Sequence, residues 1–198
     1  MDLDSVLTRR PSPGPEAPCD AVPPKGPGSG RLHRARAGAV AVLHRTGAVA
    51  VLHRTGAVAA VLLALAAVGM MIGEPVLIPS LAASAAVLHH TPTLPTAQPR
   101  TVVVAHLLGA GAGYAVLAVA PSAPWSAALA GGLTFAATTL ARTPHSPACA
   151  TAVVVVLQTP APARFVPLLF GATVVLVLGG VAASRTHPAA DRYPVRWW

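Results

Sequence analysis

Acidic residues are almost missing from this chain. There are 6 among 198 residues, and between Asp20 and Asp191 the only one is Glu74. No carboxylate pair can form in that interval, so paired-acid catalysis is excluded, and neither a Ser-His-Asp set nor a glycine-rich nucleotide loop can be assembled. Aromatic residues make up only 4%, which speaks against a barrel with aromatic girdles and for helices packed through small residues. The 2 cysteines, Cys19 in a proline-rich head and Cys149 in an apolar run, build no disulfide framework. Charged residues of both signs reach 10%, against about 25% in an ordinary soluble domain. An enzyme is not expected.

What fills the chain instead is apolar. Hydrophobic residues make up 54% and the mean hydropathy is +0.61, which places the chain in the membrane class. The formal net charge is +8. Its cations punctuate apolar runs and form no stripe, and no nucleic-acid module accompanies them, so they are read as setting membrane orientation.

Four segments follow one another. Residues 1–37 are rich in Pro, Gly, Ser and Arg without hydrophobic period, and are expected to form a disordered cytoplasmic tail. Residues 38–54 are basic repeats: Gly38–Thr46 recurs as Gly47–Thr55. A nine-residue step turns a helix by about 900°, so successive His-Arg pairs fall on opposite faces and no ligand stripe forms. Residues 55–184 form the membrane domain, and 185–198 a basic cytoplasmic tail.

Within the membrane domain, long apolar runs at 55–73, 101–120, 127–141 and 165–183 alternate with short ones at 76–88 and 148–157. The expected fold is all-α: a polytopic membrane protein with four long transmembrane helices and two short, broken half-helices. The order long, short, long occurs twice, which fits inverted three-element repeats. A plain four-span bundle with two re-entrant loops is the alternative. If the short runs cross, Arg100, Arg142 and both tails share one side and Arg164 takes the other, as the positive-inside rule prefers. Both termini are then cytoplasmic, in the cell membrane.

Two stretches carry the chemistry. One is Arg142–Ala152 (RTPHSPACATA), a proline-broken turn between apolar runs. The other is Ser80–Ala85 (SLAASA), which opens the first short run. Proline at a helix start leaves unpaired amides that attract anions, and hydroxyls add donors. Candidate binding residues are Ser80, Ser84, Arg100, Arg142, His145, Ser146 and Thr151. The competing explanation is that Ser, Thr and Ala at short spacing mark tight helix packing, and that His106 in mid-span bonds one helix to another. No metal-ligand spacing occurs, and no cofactor is expected.

Leu77–Ala85 (LIPSLAASA), Gln98-Pro99-Arg100, His106 and Arg142–Ala152 together resemble the HPP family of integral membrane proteins, whose His-Pro-Pro motif is matched by His145-Ser146-Pro147. The resemblance spans about 55–183. It implies a domain of four transmembrane helices and a role in transport, with nitrite as the associated anion. The middle proline of the motif is Ser146 here, and Ala82 and Cys149 stand where the family tends to place glycine. The expected function is thus a transporter or channel for a small, nitrite-like anion. Its expected partners are that anion, the bilayer and further copies of the chain. The alternative is a non-transporting membrane scaffold or sensor subunit that binds anionic lipid or a partner protein.

Overall fold

Among the described residues, five of the six α-helices open on a proline. The computed structural model describes residues 29–186 and 192–197, with side chains from residue 47 onward. The α-helices are α1 (Ser29–Ile72), α2 (Pro79–His90), α3 (Pro99–Leu117), α4 (Pro124–Leu140), α5 (Pro147–Gln158) and α6 (Pro162–Thr186), with a 3₁₀ turn at Pro95–Ala97. At the first helical position the missing N–H of proline costs nothing, and its fixed φ suits the helix. The prolines thus set where these helices begin; of the two short helices, α5 starts on a buried proline and α2 on an exposed one.

The chain divides into two compact units, Met1–Leu43 and His44–Trp198. The first adds only the start of α1 to the described residues. Residues 1–28 of the expected N-terminal tail lie outside them, and the basic repeats of 38–54 fall within α1.

Among the described residues, three helical stretches are long and apolar enough to cross a membrane: Gly47–Ile72, Pro99–Leu117 and Pro162–Thr186. The fourth expected long span, α4, has 17 residues. It is bounded by Pro124 and by Arg142, which takes a left-handed φ of 54° and turns the chain. Among the described residues the fold is all-helical.

In the second unit α3 is the central element, packed against α4, α5 and α6. Lipid is as apolar as Leu, so close packing and hydrogen bonds must hold such helices together. Gly109 and Gly113 provide the approach, one turn apart on the face toward α5. A Cβ on Gly109 would collide with the carbonyl oxygen of Ala148, and one on Gly113 would lie 2.7 Å from Cβ of Val155. Gly111, between them, and Gly171 on α6 face open space.

Side-chain bonds fix which helix ends lie together. Glu74, just past α1, pairs with Arg164 at the start of α6 at 3.2 Å. Tyr114 near the end of α3 donates to the carbonyl of Pro160 between α5 and α6 at 3.0 Å. At the opposite end, His53 of α1 meets Thr186 at the close of α6 at 3.0 Å. Residues 192–197 also return there: the backbone N–H groups of Val195 and Arg196 donate to Oε1 of Gln98 at 3.0 and 3.1 Å. Gln98 in turn donates through Nε2 to the carbonyls of Pro92 and Leu94, which holds the turn ahead of α3.

Candidate functional site

The site is built where the two short helices begin. After Glu74 the chain turns about Pro75, with the amide of Val76 donating to the carbonyl of Glu74, is extended at Ile78, and starts α2 at Pro79. Leu81 and Ala82 both donate their amides to the carbonyl of Ile78, so the first turn is tight. After α4, the amide of Thr143 bonds back to the carbonyl of Thr138, and Pro147 starts α5. The amides of Ala148 and Cys149 are taken by the carbonyls of His145 and Ser146. The first turn of α2 meets the second turn of α5: the hydroxyls of Thr151 and Ser80 are 2.9 Å apart.

Around that contact lies a continuous polar chain. Nδ1 of His106 is 2.7 Å from Oγ1 of Thr151, and its Nε2 is 2.8 Å from Oγ of Ser84. The same Ser84 oxygen lies 2.8 Å from Nε2 of His145, and the hydroxyl is 2.9 Å from the carbonyl oxygen of Ser80. Nδ1 of His145 ends the chain, 2.8 Å from the carbonyl oxygen of Thr96 in the 3₁₀ turn. The two imidazoles meet edge to face with centroids 5.3 Å apart. Ser80, Ser84, His106 and Thr151 are wholly buried, and His145 is 2% exposed. So many polar groups are stable in an apolar surrounding only because each finds a partner.

Four of the seven candidate residues are thus brought together: Ser80, Ser84, His145 and Thr151. Arg100, Arg142 and Ser146 are exposed and make no bond to this chain. Arg142 serves instead as the left-handed residue that ends α4. His106 and the carbonyl of Thr96 belong to the site although sequence spacing did not assign them to it. The available signal for His106 was an imidazole in the middle of an apolar helix, where an ionisable side chain marks function by default. A backbone carbonyl leaves no such signal.

Three buried side-chain atoms have no partner among the described residues: Nε2 of His89, Oγ1 of Thr143 and the hydroxyl of Tyr193. Thr143 is two residues before His145, in the loop that leads into α5. No group of three or more His, Cys, Asp or Glu among the described residues is placed to hold a metal ion. A cavity of about 210 Å³ opens beside the Glu74–Arg164 pair, and its lining includes Ile78 and Leu81, which flank Ser80 in the chain.

Residues 37–194 match the family described as HPP, transmembrane region. The chain belongs to the HPP family. The HPP match covers every residue of the polar chain, and it includes α2 through α6. A protein of Dictyostelium discoideum, described only as a transmembrane protein, is 33% identical over 132 residues, covering 62% of this chain and 46% of the relative. The chain therefore spans about half the length of that relative. No solved structure matches. This HPP chain is an integral membrane protein with several apolar helices, and its buried His-Ser-Thr cluster lies at the heart of the matched region.

Proposed function

We propose that this HPP protein carries a small monovalent anion, with nitrite as the first candidate, past the meeting point of α2 and α5. The observation that carries the proposal is the contact of Thr151 with Ser80. It brings the N-terminal turns of two short helices together in the bundle interior, lined by hydroxyls and imidazoles. Helix N-termini favour negative charge, and broken helices that meet inside a bundle are the usual construction of a carrier site. Among the described residues no carboxylate belongs to the polar chain, so nothing there repels an anion.

In this proposal the two short helices, each with its extended lead-in, cross the membrane from opposite sides, as inverted repeats. The placement of helix ends supports it. Glu74, Pro160 and Arg164 gather at one end, while Gln98, Thr186 and the C-terminal residues gather near the other. The cavity beside Glu74 and Arg164 then serves as the approach to Ser80. The protein acts by moving its substrate and not by transforming it.

Uptake into proteoliposomes loaded with a nitrite reporter tests the proposal. Flux at least tenfold above empty vesicles is expected, and flux equal to theirs overturns it. His145→Ala and Thr151→Ala are expected to slow uptake while insertion is retained.

A further inference from the structure

The hydrogen-bond chain has a property beyond lining a path. Counting its protons shows that it is complete in more than one protonation state. Thr96 contributes a carbonyl, which can only accept, so Nδ1 of His145 carries a proton. With His145 neutral, its Nε2 is an acceptor, and Ser84 must donate to it. Ser84 has one proton, so Nε2 of His106 must donate to the Ser84 oxygen. Nδ1 of His106 then accepts from Thr151, and the hydroxyl of Ser80 turns to donate to Thr151. Every nitrogen is satisfied with both rings neutral.

Now add one proton at Nε2 of His145. That nitrogen becomes a donor to Ser84, and Ser84 swings its hydroxyl proton to the carbonyl oxygen of Ser80, already 2.9 Å away. Add it instead at Nδ1 of His106, and that nitrogen donates to Thr151, which swings its proton to the Ser80 hydroxyl at 2.9 Å as Ser80 rotates its own proton out of that contact. Each hydroxyl has a second acceptor in place, and both acceptors belong to Ser80. A proton also passes between the rings through Ser84: His106 Nε2 gives its proton to the Ser84 oxygen as Ser84 gives its own to His145 Nε2. Protonating both rings at once places like charges 5.3 Å apart, centroid to centroid, so the pair takes one proton at a time.

We propose that His106 and His145 bind one exchangeable proton together with the transported anion, so that the anion moves with a compensating proton. The anion half rests on the transport proposal above. The proton neutralises the anion's charge inside the bundle, where an unpaired charge is costly. Other titratable or charged groups on the surrounding elements are His89 and His90 on α2, Arg100 and Tyr114 on α3, Arg142 before α5, Cys149 on α5, and Arg164 and Arg185 on α6. None of them hydrogen-bonds to the chain, and α4 carries none.

Nitrogen-15 histidine spectra of the full chain in lipid nanodiscs test this, with His106→Asn and His145→Asn used for assignment. At alkaline pH, His145 is expected to show the Nδ1–H tautomer and His106 the Nε2–H tautomer. Acidification should add one proton shared by the two rings. Sodium nitrite should raise the midpoint by about one pH unit, a tenfold gain in proton affinity. Ser84→Ala should uncouple the two titrations. If that variant fails to insert, Thr151→Val should weaken proton binding at His106 and leave the His145 tautomer unchanged. Opposite tautomers, two rings neutral throughout the folded range, or a midpoint that nitrite does not move would each overturn the inference. Absent nitrite flux in proteoliposomes reports separately on the transport proposal.

Discussion

Thr151 of α5 and Ser80 of α2 are 71 positions apart in the chain, and their hydroxyls lie 2.9 Å from each other. Neither residue is remarkable in its own segment, where each is one small polar side chain among alanines. Their contact joins the first turn of α2 to the second turn of α5, two helices of 12 residues each, and it fixes the place where His106 and His145 are held. Four properties of the protein can be measured against this arrangement.

Ser84 is the one hydroxyl shared by both imidazoles. Ser84→Ala leaves two ring nitrogens short of a partner, and a buried polar group without one costs about 1–3 kcal/mol. A drop of about 2 kcal/mol or more in detergent unfolding is expected. Thr139→Ala should be nearly silent, since that exposed hydroxyl only returns to the Phe135 carbonyl of its own helix at 2.8 Å.

The approach of α3 to α5 depends on two glycines. Gly109→Ala and Gly113→Ala are each expected to destabilise the protein by about 1–3 kcal/mol, because an added methyl meets the backbone or side chains of α5. Gly111→Ala has open space and should instead stabilise by up to about 1 kcal/mol through helix propensity. Equal thermal shifts for all three would contradict the packing.

Tyr193 anchors the C-terminal residues against Gly180, and burial pushes its phenol above the ordinary range. The folded pKa exceeds the unfolded one, so the stabilisation is present at neutral pH and is lost as pH rises above the unfolded value of about 10. Release of residues 192–197 at alkaline pH, followed by limited proteolysis, is expected for the native chain. In Tyr193→Phe that pH dependence should vanish. Removal of an unpartnered buried hydroxyl should also raise stability by about 1 kcal/mol.

Crossing of the two short segments can be read from labelling. In a Cys19→Ser, Cys149→Ser background, single cysteines at positions 100 and 142 should react from the same side of the membrane. A cysteine at position 164 should react from the other. Labelling of 100 and 142 from opposite sides would instead show that the short segments re-enter.

Much of the fold was legible because apolar run length and proline position are local properties. The all-helical class and the starts of α2 and α5 follow from residues adjacent in sequence. The start of α4 was less legible, since its expected extent at 127–141 passed over Pro124, whereas the expected end lies one residue from the observed Leu140. In the site, Ser80, Ser84, His145 and Thr151 could be named because each follows or precedes a helix-starting proline. Arg100 and Arg142 were named for their charge, yet both point to the exterior, where a guanidinium keeps its solvation.

By itself, the sequence determined that this protein is built of apolar helices and where the two short ones, α2 and α5, start. Composition and proline placement suffice for that, because each acts on its own stretch of chain. Only the tertiary structure decided that His106 joins His145 through Ser84, and that the Thr96 carbonyl fixes the polarity of the chain. Those partners come from two separate helices, a 3₁₀ turn and a loop. A hydrogen bond depends on distances of a few ångströms that no spacing in the sequence encodes.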